Sequence, residues 1–123
     1  MNQDSFSDQQ ITDILSLRTV AVIGMSKHSS KAAHYVPKYL IDNGYDVTPV
    51  NPTAEKILNI SCYDSVSEIE GPVDIIDVFR PSEQISFIIR DCIEKKPKVI
   101  WLQEGIHDFE SEELARKAGI LVV

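Results

Sequence analysis

The feature that most narrows the folds open to this chain is the run Thr19-Val20-Ala21-Val22-Ile23-Gly24, an unbroken apolar stretch closed by a glycine. Continuous rather than alternating apolarity marks a strand buried on both faces, the kind found in parallel sheets covered by helices. The theme recurs. Residues 45–50 read as a second strand stopped by Asn51-Pro52, residues 73–79 as a third, residues 98–102 as a fourth and residues 120–123 as a last one. Helical spacing fills the gaps. Residues 33–43 place Val36 and Leu40 on one face, residues 82–95 carry Ile85, Ile88, Ile89, Cys92 and Ile93, and residues 111–118 run into Gly119. Pro37 is expected in the first turn of its helix, where a missing N–H is tolerated. An earlier stripe of Ile11, Ile14 and Leu15 suits a short helix over residues 7–17, capped near Ser7. Residues 53–71 are less regular, with helical turns expected at 54–58 and 66–69. Strands alternating with helices imply right-handed crossovers and a doubly wound, Rossmann-like α/β sheet. The expected organisation is an N-terminal helical segment, 1–18, followed by one domain, 19–123.

Composition supports a single ordered domain: 123 residues, 43% of them hydrophobic, can bury one core. The formal net charge of -7 argues against nucleic acid and anionic membranes as partners, since both demand a surplus of Lys and Arg. That charge is unevenly spread. Residues 14–41 contain no carboxylate, yet hold Arg18, Lys27, Lys31 and Lys38. Cys62 and Cys92 form no CxxC pair and read as free thiols of a reducing cytoplasm. The polar start MNQDSFSDQQ lacks the pattern of a signal peptide.

In doubly wound sheets ligands bind outside the carboxyl ends of the strands. Four loops lie there. The first, Gly24-Met25-Ser26-Lys27-His28-Ser29-Ser30-Lys31, joins a close-approach glycine to hydroxyls, two cations and a helix start, which together suit a pyrophosphate. A dinucleotide fingerprint would have Gly at 24, 26 and 29; this loop has Gly, Ser and Ser, and a plain polar turn accounts for the same residues. The second loop, Val50-Asn51-Pro52, lacks the carboxylate that usually receives an NAD ribose, so a ribose bearing an extra phosphate is not repelled. NADP and coenzyme A both carry one. In the third, Phe79 can stack on adenine or pack in the core, and Arg80 can contact phosphate. The fourth contributes Gln103 and the backbone of Gly105, with Trp101 expected as packing.

The segments Val22-Ile23-Gly24-Met25-Ser26, His34-Tyr35-Val36-Pro37-Lys38-Tyr39-Leu40, Gly44-Tyr45-Asp46-Val47, Pro49-Val50-Asn51-Pro52, Val73-Asp74-Ile75-Ile76-Asp77-Val78-Phe79-Arg80 and Val99-Ile100-Trp101-Leu102-Gln103 resemble the small single-domain CoA-binding protein family. That family is similar to the CoA-binding domain of the succinyl-CoA synthetase alpha subunit. The resemblance runs from Thr19 onward. It implies a Rossmann-like fold holding coenzyme A, with pyrophosphate over the loop from Gly24 to Lys31, where Tyr35 joins the candidate ligand residues. It places the adenosine end near Val50, Asn51, Pro52, Phe79 and Arg80. Two departures stand out: Lys31 occupies a place where family members often have Arg, and the sequence ends at Val123 where they commonly continue with a short Asp- and Cys-containing segment.

Catalysis needs a positioned acid, base or nucleophile. His28, His34, His107, Cys62 and Cys92 are the candidates, and no Ser/His/Asp or metal-ligand spacing joins them. His107 reads as a solvated helix start, His34 as support for the phosphate loop, and Cys92 as core. Related synthetases use a phosphorylated histidine from a further domain. The expectation is a cytoplasmic protein that binds CoA or acyl-CoA without chemistry of its own, as a carrier or regulatory module whose protein partner the residues do not name. Two alternatives use the same fold: an NADP-type oxidoreductase fragment, and a docking module whose partner binding responds to CoA.

Overall fold

The computed structural model describes residues 6–123; residues 1–5 of the expected N-terminal segment lie outside the described residues. The chain runs α1 (Asp8–Leu15), β1 (Thr19–Ile23), α2 (Ala32–Asp42), β2 (Asp46–Val50), a small hairpin of β3 (Lys56–Ile57) and β4 (Ile60–Ser61), β5 (Ile75–Val78), α3 (Ile85–Glu94), β6 (Val99–Leu102), α4 (Phe109–Lys117) and β7 (Leu121–Val122). Five strands form one parallel sheet in the order β2-β1-β5-β6-β7. This is the Rossmann-like doubly wound α/β architecture read from the sequence.

Both faces of the sheet are apolar because each strand sends alternate side chains to opposite sides. Val20 and Val22 of β1 join Ile75 and Val99 beneath α1 and α2, whereas Ala21 and Ile23 join Ile76, Val78 and Ile100 beneath α3 and α4. Ser7 caps α1 through a capping box with Gln10, and Ile14 is buried in the first of these clusters, so the N-terminal helix shares the core of the domain. The side chain of Leu15, the third member of the expected stripe, is outside the description.

Chain order reverses at β1. From β1 the chain goes outward to β2, then crosses back to β5 on the other flank of β1, and this opens a crevice between the carboxyl ends of β1 and β5. The Gly24 loop and Phe79-Arg80 meet there, with the Phe79 amide donating to the Ile23 carbonyl at 2.9 Å.

Two expectations are corrected. Pro37 lies inside α2, one turn beyond the expected position. Its missing N–H leaves the Ala33 carbonyl without a partner in the helix, and that oxygen instead accepts the Ser26 amide at 3.0 Å. The expected helical turn at 54–58 is a hairpin: Leu58 and Asn59 both adopt left-handed conformations (φ 51 and 66) and reverse the chain between β3 and β4. The second expected turn is present as a 3-10 turn, Val66–Glu68.

One core position is a carboxylate. Asp77 of β5 is 5% exposed and accepts a hydrogen bond from the Gln103 side chain on one oxygen. Burial raises its pKa to about 6, and the Gln103 bond only partly opposes this. From about pH 4 to about pH 6 the folded state therefore retains a proton that the unfolded chain releases, so stability falls as pH rises through that window. The shift corresponds to roughly 3 kcal/mol at pH 7. Asp77→Asn keeps an acceptor for Gln103 and is expected to gain up to about this much stability over the wild type at pH 8, with the gain shrinking toward pH 4. Urea denaturation across that range checks it; a gain independent of pH would mean that Asp77 ionises as an exposed carboxyl does.

Candidate anion-binding site

The loop after β1 begins at Gly24, whose φ of +83 an L side chain rarely adopts. A Cβ there would lie 2.7 Å from Cδ of Arg80 and 3.4 Å from the carbonyl carbon of Phe79, so the absence of a side chain is what lets Arg80 cross the crevice. The Gly24 amide donates to the Val50 carbonyl at 2.9 Å, which ties the loop to the end of β2. Asn51 then reaches back, its Nδ2 donating to the Met25 carbonyl at 2.9 Å while its Oδ1 accepts the Thr53 amide and hydroxyl.

Ser26 is held more tightly still. Its amide is the one that donates to the Ala33 carbonyl freed by Pro37, and its carbonyl accepts from His34 Nδ1 at 2.7 Å. A carbonyl only accepts, so Nδ1 carries the proton. His34 is 8% exposed, and its role is the hydrogen-bonding support expected from the sequence. Ser26 Oγ accepts the His28 amide at 3.1 Å, and the Ser26 amide, engaged by Ala33, is not among the donors the loop leaves for an anion. The amides of Lys27, Ser29, Ser30, Ala32 and Ala33 have no acceptor among the described residues. They are the donors that the loop and the first turn of α2 leave for an anion.

Gly24, Met25, Ser26, Lys27, Lys31, Asn51, Phe79 and Arg80 come together around a cleft of about 280 Å³. Ala33, Thr53 and Ala54 also line it and were not singled out in the sequence, and so does His28, named there as a catalytic candidate. No carboxylate is among these lining residues. Arg80 donates from Nε to Gln84 Oε1 at 2.8 Å, and its two Nη groups have no protein partner among the described residues. Of the four cations in the carboxylate-free stretch, only Lys27 and Lys31 reach the cleft. Arg18 stacks on Tyr45 at 4.8 Å and Lys38 pairs with Asp42 at 2.9 Å.

The side chains of the other expected ligand residues sit elsewhere. Val50 is core, Ser30 and Tyr35 face outward, and Pro52 lines an adjoining cleft of about 530 Å³ together with Thr53, Ala54, Lys56, Cys62 and two carboxylates, Glu55 and Asp64. Gln103 holds Asp77, and the Gly105 carbonyl accepts from Ser82 Oγ at 3.4 Å. Among the catalytic candidates, His107 is exposed with Nδ1 at 3.7 Å from Glu112 Oε2. Burial pushes the Cys92 thiol up to about 12 and also raises that of Cys62, so neither is a ready thiolate. Among the described residues no group of three His, Cys, Asp or Glu can hold a metal, and no helix is long and apolar enough to cross a membrane.

Because His34 satisfies a carbonyl at the root of the cleft, His34→Ala is expected to cost about 1–3 kcal/mol, the range for leaving a buried group unpaired. Thermal or urea unfolding measures this, and an unchanged midpoint would remove His34 from the support of the loop.

Comparison with known proteins gives this geometry a family. An uncharacterized protein of Bacillus subtilis, YneT, is 35% identical over 118 residues, covering 95% of this chain and 87% of its own. The ADP-forming acetate–CoA ligase II of Archaeoglobus fulgidus is 32% identical over 91% of this chain, which spans only 18% of that much longer ligase. A hypothetical protein of Pyrococcus horikoshii superposes with a TM-score of 0.94 at 34% identity, covering 98% of this chain and 85% of its own. The family model described as a CoA binding domain matches residues 18–123, and the chain belongs to that CoA-binding domain family.

Proposed function

We propose that this chain binds coenzyme A or an acyl-CoA, with the pyrophosphate in the cleft between the Gly24 loop and Arg80. The observation that carries the reading is the cleft's composition: Lys27, Lys31 and Arg80, unpaired amides at the first turn of α2, and no lining carboxylate, all at the strand-order reversal. In this reading the adenosine end continues past Thr53 and Ala54, shared by both clefts, toward Lys56, the cation of the adjoining cleft, whose lining also holds Glu55 and Asp64. Asn51 acts as a positioning residue, since both ends of its side chain already hold backbone or a neighbouring side chain.

The role assigned is that of a carrier or regulatory module rather than a catalyst. His34 is occupied in bracing the loop, His107 is exposed beside Glu112, and Cys92 is buried. The chain's correspondence to one part of a far longer ligase favours a version in which CoA occupancy controls docking to a larger enzyme. Identical partner capture with and without CoA would remove that version.

Calorimetry with CoA, dephospho-CoA, NAD and NADP tests the main reading. Saturable binding of CoA is expected, and binding of NADP with none of CoA would replace it by the nicotinamide reading. The combined Lys27→Ala and Lys31→Ala substitutions are expected to weaken CoA about five- to tenfold at low salt, the sum of two exposed charge contacts, and less at high salt.

A further inference from the structure

A third cavity, of about 270 Å³, lies on the face of the sheet covered by α1 and α2, and nothing in the CoA reading uses it. Its walls are apolar: Ile14 of α1, Val36 and Leu40 of α2, and Trp101 of β6. Its polar end is Asp77 with Gln103. Gln103 Nε2 occupies one oxygen of Asp77, while the other oxygen and Gln103 Oε1 have no hydrogen-bond partner among the described residues. Both are acceptors, so the polar end suits the N–H of an amide.

The position of that end ties the cavity to the anion cleft. Asp77 and Phe79 are two residues apart at the end of β5 and point to the same face, and Phe79 is a wall of the anion cleft. The Gln103 amide donates to the Val78 carbonyl at 3.3 Å, which sets Gln103 beside Phe79. From the Gly24 loop at β1 to Gln103 at β6 is two strand spacings, about 10 Å. The pantetheine arm of CoA is longer than this and carries two amide N–H groups before its sulfur.

We propose that this cavity receives the thioester end of an acyl-CoA, with a pantetheine amide at Asp77 and Gln103 and the aliphatic acyl group among Ile14, Val36, Leu40 and Trp101. The inference rests on the CoA reading and goes further by naming the acyl class. A 150 Å³ cavity holds benzene, so this one takes a short to medium chain of about four to eight carbons. An unfilled apolar space beside the core leaves its wall contacts unmade, and an acyl chain would supply them.

The test is calorimetry on the full chain with CoA and its acetyl, butyryl, hexanoyl, octanoyl and palmitoyl thioesters, in the wild type and in Val36→Phe, which fills the cavity. Leu40→Phe serves if Val36→Phe does not fold. The affinity of the wild type relative to CoA is expected to rise by up to about fourfold per methylene and to stop rising by octanoyl. In the filled variant the ratio of hexanoyl-CoA to CoA affinity should fall toward one. CoA binding with a flat acyl series overturns the cavity assignment alone. So does a gain that survives in the filled variants or keeps growing to palmitoyl, because the chain then lies outside the cavity. If neither CoA nor any thioester binds, the CoA reading itself fails, and this inference with it.

Discussion

The geometry of the anion cleft depends on one peptide group, that of Ser26, which is held from both sides by the first turns of α2. Its N–H goes to the Ala33 carbonyl and its carbonyl receives His34 Nδ1. Helix α2 is itself fixed by packing of Leu40 and Ile41 into the core cluster that holds Val20, Val22, Val47 and Ile75, so the loop takes its shape from the core rather than from a ligand. A loop shaped in advance loses little freedom when an anion arrives, which is the physical basis of preorganised binding. Pro37 has a part in this. By withholding one donor inside the helix it supplies an acceptor outside it, and a local defect in α2 becomes the anchor of the cleft.

The sheet was legible because its strands are uniformly apolar and its helices one-sided, patterns set by burial on two faces and on one. The crevice followed, since the carboxyl ends of parallel strands gather there whatever the side chains are. Gly24, Lys27, Lys31, Phe79 and Arg80 could be named on that basis. What the residues did not reveal were consequences of tertiary contact. Pro37 looked like a helix-start residue because its compensation, the bond between Ala33 and Ser26, joins two elements. The hairpin at Leu58-Asn59 was hidden because leucine rarely adopts a left-handed conformation. Asp77 read as one more polar letter in an apolar strand, and only packing shows that it lies in the core.

Charge placement illustrates the same limit. The carboxylate-free stretch contains the loop that lines the candidate cleft, but it treated its four cations alike. Structure divides them: Arg18 and Lys38 lie toward the amino ends of the strands and bind protein, while Lys27 and Lys31 stand at the carboxyl ends and face the cleft. Arg80, from outside the stretch, completes the set. Sequence proximity gathered the wrong pair with the right one, because a helix of eleven residues carries Lys38 well away from its own first turn.

Strand β2 forms one margin of the sheet, where unpaired backbone groups ordinarily invite another chain to add a strand. That margin is largely closed. Pro49 removes a donor from the outward row, and the Pro49 carbonyl and the Asn51 amide are both taken by the backbone of Tyr63, at 3.0 and 2.9 Å. Growth of the sheet by stacking molecules edge to edge is thereby blocked on this side. A second copy or a partner meeting the protein here has to do so through side chains rather than by extending the sheet.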